Sequence, residues 1–291
     1  MINCLKPYHV NDPKIQNHKI PVPCGKCPPC LKRRSSQWSF RLKCEGRNHL
    51  LSTFVTLTYN DENLPKTSLG NVTLNKHDVQ KFFKRLRKIN EKVYKIDRKI
   101  VYYLAGEYGG TFGRPHYHCI IFNAHPNAIM DAWKLNDLPL GFVHLGNVNP
   151  ASVGYSLKYI HKGTGNKFFK KDIEKKREFQ LASKGIGFSY LSEEILKWHK
   201  ASPSERCYVV IEDGKKISLP RYFRDKIFND EEKKLIAIKM RDLAIEKEWQ
   251  LFEIHGNNLE SFLHQNAIEQ TRLFNHKQKF KLDNYESLQY A

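Results

Sequence analysis

Between residues 51 and 162 the apolar pattern changes period in a fixed order, and that order limits the folds open to the chain. Leu51 to Tyr59 is rich in Thr, Val and Phe and stops at Asn60-Asp61, as a strand does. A helix follows, with Val79, Phe82, Phe83, Leu86, Ile89 and Val93 on one stripe and Lys81, Lys84, Arg85, Lys88 and Lys92 around the rest of the wheel. Ile100 to Glu107 reads as a strand, Tyr108-Gly109-Gly110 as a Gly-rich turn, and His116 to Phe122 as the returning strand. Asn127 to Leu135 is then a short helix, Gly141 to Val148 a strand, and Ser152 to Lys162 a helix opened by Pro150 and Ser152. The order β-α-β-β-α-β plus one helix predicts an α+β domain. It is ferredoxin- or RRM-like, a mostly antiparallel sheet with helices on one side.

Three regions emerge. Residues 1–48 hold a cysteine cluster followed by a basic segment with Leu31, Trp38 and Leu42 at helical spacing. Residues 49–165 hold the α+β pattern, and residues 166–291 are lysine-rich, with a hairpin signal over Cys207 to Ile217 and a long helix from Asp230 to Ile254. At 40% hydrophobic and 12% aromatic content, 291 residues suffice for a packed core and exclude a disordered chain.

The formal net charge of +19, with Lys and Arg in blocks, points to a polyanionic partner, nucleic acid first. Arg33, Arg34, Lys84, Arg85, Lys88 and Arg114 are the candidate DNA contacts. Pro220-Arg221-Tyr222-Phe223-Arg224 has the composition on which a single strand stacks. No uninterrupted apolar run approaches the length of a bilayer and the first residues have no signal-peptide core, so the expected setting is a cytoplasm without membrane contact.

Cys24, Cys27 and Cys30 lie on a Gly/Pro-bent loop, with Cys4 upstream. In a cytoplasmic chain that spacing reads as metal and not disulfide. A structural zinc on all four thiolates is the favoured reading, with an iron–sulfur cluster and free thiols as alternatives.

Chemistry concentrates in the strand Arg114-Pro115-His116-Tyr117-His118, where period-two alternation puts both imidazoles on one face. An antiparallel hairpin brings Glu107 beside them as a third ligand. Two imidazoles and a carboxylate leave open positions suited to Mg²⁺ or Mn²⁺. Downstream, Tyr155 and Tyr159 stand four residues apart on one helical face, with Lys158 and Lys162 as cations beside them. A phenol of ordinary pKa near 10 needs such a cation or a metal before it attacks.

These residues resemble the HUH endonucleases, in which two histidines flank a hydrophobic residue on a strand and a downstream helix presents one or two nucleophilic tyrosines. Phe54-Val55-Thr56-Leu57-Thr58-Tyr59 resembles the first motif, Arg114-Pro115-His116-Tyr117-His118 the second, and Tyr155-Ser156-Leu157-Lys158-Tyr159 the third. The central Tyr117 departs from the purely hydrophobic pattern. Pro23-Cys24-Gly25-Lys26-Cys27 with Cys30 is similar to the replication initiators of small single-stranded DNA phages, the gokushovirus branch of the microviruses. The nearer resemblance covers most of residues 1–165 and little beyond. It implies a nickase that cuts origin DNA by metal-assisted tyrosine attack, forms a 5′-phosphotyrosyl bond and rejoins ends during rolling-circle replication in the cytoplasm of a bacterial host. With no Walker-type loop in the chain, a host helicase and polymerase are the expected partners. The competing readings are a non-catalytic zinc-containing nucleic-acid-binding protein and a metal phosphoesterase or histidine-triad hydrolase. The histidine-triad reading wants a third His where this chain has Ile120.

Overall fold

A computed structural model describes residues 4–11, 19–109, 112–162, 172–211 and 214–289, excepting the side chains of 20, 158–162 and 277–289. The chain divides into two compact units, residues 35–192 and residues 1–34 with 193–291. Strands β1 (Tyr8–Asn11) and β2 (Lys19–Val22) pair as an antiparallel ribbon ahead of helix α1 (Pro28–Gly46). The α+β pattern then runs β3 (Ser52–Thr58), α2 (Lys76–Lys92), β4 (Val101–Tyr108), β5 (Pro115–Phe122), α3 (Pro126–Ala132), a minimal ribbon of β6 (Lys134–Leu135) and β7 (Leu138–Pro139), β8 (Val143–Asn147) and α4 (Pro150–Lys162). β9 (Phe179–Ala182) completes the sheet from beyond residue 165.

The order β8-β3-β5-β4-β9, antiparallel at every pairing, is the ferredoxin-like arrangement with one strand added at the β4 edge. β4 and β5 are buried along almost their whole length. A strand buried on both sides needs cover on both, and here the structure corrects the expectation of helices on one side only. Val55, Leu57, Leu104, Tyr117, Cys119 and Ile121 line one face and form a core with Val79, Phe82, Phe83 and Leu86 of α2 and Ala128, Ile129 and Ala132 of α3. The opposite face carries Phe54, Tyr103 and His118. It receives Trp38 of α1 against Tyr103 and Tyr155 of α4 against Phe54 and His118.

Tyr117 explains its own departure from a hydrophobic residue. Its ring is fully buried on the α2 side, and its hydroxyl accepts from Asn75 N (2.8 Å) and bonds the Tyr59 hydroxyl (3.2 Å). The phenol thus ties β5 to the N-terminus of α2, where Asn75 Oδ1 caps the helix by accepting from His77 N (3.0 Å). The far end of the stripe also differs from expectation, because Val93 is exposed and Asn90 is buried instead. Asn90 donates to Asn123 O (3.0 Å) and accepts from His125 N (2.9 Å), so an amide clasps two backbone groups that no apolar side chain could satisfy.

In the other unit, α5 (Glu193–Lys200), the antiparallel ribbon of β10 (Tyr208–Val210) and β11 (Lys216–Ser218), and α6 (Arg221–Ile227) precede two long helices, α7 (Asp230–His255) and α8 (Leu259–Gln289). Asn229 and Glu232 start α7 with a reciprocal capping box. The Pro220 to Arg224 cluster is not an open stacking surface, since Phe223 is fully buried in α6. No helix among the described residues is long and apolar enough to cross a membrane.

Two glycines give opposite stability predictions. At Gly141 the backbone passes so close to β3 that a Cβ would stand 2.6 Å from Asn60 N and against Thr58 O, an oxygen that already accepts Trp133 Nε1. Gly141→Ala is expected to cost about 1–3 kcal/mol in denaturant unfolding. Gly154 lies inside α4 with open space where a Cβ would go, and Gly154→Ala is expected to stabilise by about 0.5–1 kcal/mol. An equal loss at both positions would contradict this account.

Candidate active site

The register of the sheet lines up the chemical residues row by row. Glu107 and Thr58 are the cross-strand partners of His116, and Ala105 and Thr56 are those of His118. All of these side chains point to the face that α4 covers, because alternation sends Tyr117 to the other side.

His118 is 2% exposed and Glu107 4%, and Glu107 Oε1 lies 2.8 Å from His118 Nε2. Thr56 Oγ1 engages the other ring nitrogen, Nδ1, at 3.1 Å. The imidazole is therefore fixed in its plane from both ends, and its Nε2 is turned toward the carboxylate. Phe54 stacks parallel to the same ring, with centroids 6.0 Å apart. His116 is more open, and its Nδ1 bonds the Arg114 carbonyl at 2.8 Å, which commits that nitrogen as the donor and leaves Nε2 as a lone-pair acceptor. Burial, opposed by the Arg114 carbonyl, holds the His116 pKa below the ordinary imidazole value and so favours the neutral, ligating form. The His116 and His118 rings lie parallel, with centroids 6.3 Å apart. Each histidine thus has its Nδ1 occupied by a supporting group. With the Glu107 carboxylate, the donor set fits a hard divalent cation.

Helix α4 lays Tyr155 onto this strand. Asn149 sets the helix start by accepting from Ser152 N at 2.8 Å, and Ser156 and Leu157 are buried toward the sheet. The Tyr155 ring meets the His118 ring edge-on, with centroids 4.9 Å apart. Tyr159, Lys158 and Lys162 belong to the same helix, but their side chains lie outside the described residues.

The candidate DNA contacts scatter. Arg114 reaches across the loop after β3, with Nη2 on Tyr59 O (2.9 Å) and Nη1 on Asp61, so it braces the mouth of the site while staying partly exposed. Lys84 and Lys88 are exposed on α2, which covers the face opposite the histidines, so the structure does not bring them to the site. Arg85 is spent on a helix contact, its Nε donating to Ala132 O at 2.9 Å. Arg34 is exposed and Arg33 half-buried on α1. Thr56 and Phe54 are the site residues that chemical reasoning from the sequence passed over. The signal for them was present, since alternation in Phe54 to Tyr59 puts both on the histidine side once the strands pair.

The four cysteines form a second candidate site. The sulfurs of Cys4, Cys24, Cys27 and Cys30 all lie within 4.8 Å of one another, and those of Cys4 and Cys27 are 3.8 Å apart. Among the described residues this is the group whose ligand atoms gather so tightly; Glu107, His116 and His118 are spread more widely. Gly25, at φ +71°, turns the loop so that Lys26 N and Cys27 N donate to Cys24 Sγ at 3.4 and 3.3 Å. Leu5 N donates to Cys27 Sγ and Cys24 N to Cys4 Sγ. Burial pushes the Cys24 thiol up, but the two N–H donors outweigh it and hold the pKa at about 7, whereas burial pushes Cys30 up to about 12. N–H groups aimed at sulfur stabilise thiolates, and the quartet can hold a metal such as zinc.

The profile of a family described as Replication-associated protein ORF2 matches residues 52–164, the span from β3 through α4. Replication-associated protein ORF2 of Spiroplasma virus 4 is 30% identical over 258 residues, covering 84% of this chain and 72% of that protein. Replication-associated protein ORF4 of Chlamydia phage 1 is 25% identical over 76% of this chain, and protein VP4 of Bdellovibrio phage phiMH2K is 27% identical over 70%. The chain spans 56% of the Chlamydia phage protein's length and 66% of the Bdellovibrio phage protein's. No solved structure matches it. The matched span holds the histidine strand, its carboxylate and the tyrosine helix, and the relatives extend the match across most of the remainder: the chain belongs to the gokushovirus-type replication-associated proteins of small phages.

Proposed function

We propose that the chain initiates replication by cutting one DNA strand at an origin, staying joined to the new 5′ end through a tyrosine, and later rejoining ends. The observation that carries this reading is the 4.9 Å edge-on contact between Tyr155 and His118 on a strand whose carboxylate partner sits 2.8 Å from the same imidazole. Hydrogen-bond networks that only stabilise a fold have no need of a phenol-bearing helix laid over them.

Mg²⁺ or Mn²⁺ held by Glu107, His116 and His118 supplies Lewis-acid polarisation of a scissile phosphate and charge stabilisation of its transition state. The chain's own groups do the remainder. Thr56 and the Arg114 carbonyl orient the two imidazoles, and Glu107 contributes the negative charge that two neutral rings lack. Arg114, partly exposed at the mouth, offers a guanidinium to the backbone of the entering strand. In the reaction a tyrosine oxygen forms the bond to phosphorus as the bond to the 3′ oxygen breaks. The phenol gives up a proton and the departing oxygen gains one. The phosphodiester is exchanged for a phosphotyrosyl ester of similar energy, so the reverse step needs no ATP. Tyr155 and Tyr159 on one helix provide one phenol to hold the old end and another to cut the newly made origin. Lys158 and Lys162 serve as phosphate contacts, and a host helicase and polymerase would supply unwinding and synthesis. The cysteine quartet holds a structural zinc in this reading.

The quartet also favours a second reading, a zinc-stapled nucleic-acid binder without catalysis, because it needs none of the histidine geometry. The two part on one measurement. Incubated with single-stranded origin DNA and Mn²⁺ or Mg²⁺, the protein is expected to give a covalent protein–DNA band on a denaturing gel. His118→Ala should lower that yield by at least about 10²-fold, and Tyr155→Phe and Tyr159→Phe should each leave partial activity. No band with either metal removes the nickase reading.

Thr56→Val tests the support of His118 separately. Loss of a group that orients a metal-binding histidine costs about 10–100-fold in metal affinity or activity, so the variant should fold normally yet need more Mn²⁺ for half-maximal cleavage. An unchanged metal requirement would show the hydroxyl to be incidental. For the cysteines, the purified protein is expected to carry about one zinc per chain, and Cys24→Ser to lose it together with thermal stability. A metal-free wild type of undiminished stability would exclude structural zinc.

A further inference from the structure

Helix α7 has two apolar faces, and nothing in the reaction proposed above uses the outer one. Ile236 is buried and Met240, Leu243 and Leu251 are half-buried on the inner face, which accounts for the packing of the helix on its own unit. On the outer face Leu235, Ile238, Ile245, Trp249 and Phe252 are 56%, 49%, 47%, 63% and 47% exposed. Their spacing, with Asp242 completing it, alternates three and four residues, the heptad seam of a coiled coil and not the scatter of ordinary surface apolars.

The charges beside the seam say what covers it. Flanking positions in the first half of the helix carry Lys234, Lys239 and Arg241, and those in the second half Glu246, Glu248 and Glu253. Laid antiparallel on a second copy, with the two-fold axis between Leu243 and Ala244, every core position finds a partner. Leu235 meets Phe252 of the other copy, Ile238 meets Trp249 and Asp242 meets Ile245, each layer occurring twice. Lys239 then stands beside Glu246 of the other copy and Arg241 beside Glu248, again twice each. A parallel arrangement would keep one favourable pair, Arg241 with Glu246, but would set Lys234 against Lys239 and Glu248 against Glu253, two like-charge contacts. The seam from residue 235 to 252 runs about 27 Å at 1.5 Å per residue.

We propose that the protein dimerises through α7, paired antiparallel with α7 of a second copy. The seam is self-complementary in both shape and charge, which an unrelated partner would not require. Asp242 is the polar core position. It lies 3.4 Å from the Arg241 guanidinium, and a single buried polar residue of this kind fixes register at some cost in affinity. Lys239 at present contacts Glu205 at 3.3 Å, an exposed pair whose exchange for Glu246 of the other copy costs little.

Sedimentation of the full-length protein without DNA tests the proposal. Wild type is expected at twice the chain mass at micromolar concentration. Ile238→Glu/Ile245→Glu is expected at the chain mass with unchanged helix content and thermal midpoint, since both side chains are exposed. Charge variants that leave the seam intact guard against misfolding as the cause. Lys239→Glu/Arg241→Glu alone and Glu246→Lys/Glu248→Lys alone should each be monomeric, and an equimolar mixture should recover the dimer. Glu248→Lys by itself decides direction, weakening an antiparallel pair and strengthening a parallel one. A monomeric wild type, a dimer that survives Ile238→Glu/Ile245→Glu, a mixture that stays monomeric, or a dimer strengthened by Glu248→Lys would each overturn the proposal.

Discussion

His118 is bonded at both ring nitrogens inside the sheet, by Thr56 from β3 and by Glu107 from β4, and the arrangement of the α+β unit follows from keeping that row intact. An imidazole and a carboxylate almost wholly withdrawn from water are costly unless each finds a partner, and a buried group left alone costs about 1–3 kcal/mol. The three side chains come from three adjacent strands, so the row forms only when the β3-β5 and β4-β5 registers are both correct. A slip of one residue on β5 would carry Tyr117 into the polar row and both histidines into the apolar core. The phenol of Tyr117, bonded to Asn75 and Tyr59 on the other side, enforces the same register from the opposite face.

The two faces of the sheet consequently do different work. Toward α2 and α3 the sheet is a continuous apolar core. Toward α4 it is mixed, with Phe54 and Tyr103 supplying the packing and Thr56, Glu107, His116 and His118 the polarity. Placing ionisable groups beneath a covering helix shifts their equilibria. Burial lowers the His116 pKa, which keeps the ring neutral and its Nε2 lone pair available at pH values where an exposed histidine begins to protonate. The same cover excludes bulk water from the strand that the reaction would use, which strengthens every electrostatic contact there.

Much of this was legible in the sequence, for physical reasons that particular residues make plain. The β3, β4 and β5 strands and the α2 helix were readable because one side of each meets an extensive apolar core, and burial imposes periodicity. The pairing of Glu107 with His116 followed from the hairpin turn at residues 108–110. What stayed hidden was whatever depends on a second element. β9 is a short strand with no strong alternation, defined by its pairing to β4 and not by its own residues. Cover of the histidine face by Trp38 of α1 has no local signal. Arg85, Arg114 and Asn90 look like surface polar residues until their backbone acceptors are in view, and Phe223 reads as an exposed aromatic until α6 folds over it.

The tyrosine helix sets a geometric condition on any two-nucleophile reaction. Residues four apart on an α-helix share a face but are separated by about 6 Å along the axis at 1.5 Å per residue. The backbone of Tyr159 is therefore one turn beyond that of Tyr155, whose ring already occupies the place against His118. One phosphate held at the histidine row cannot be in line with both phenols without movement. Either the helix shifts along the sheet by about one turn between steps, or the DNA presents its second phosphate one turn away. The packing beneath α4 favours the second course. Ser156 and Leu157 are buried against the sheet and Asn149 and Ser152 lock the helix start, so sliding the helix would break the cap and the buried contacts together, whereas an entering strand pays no such cost.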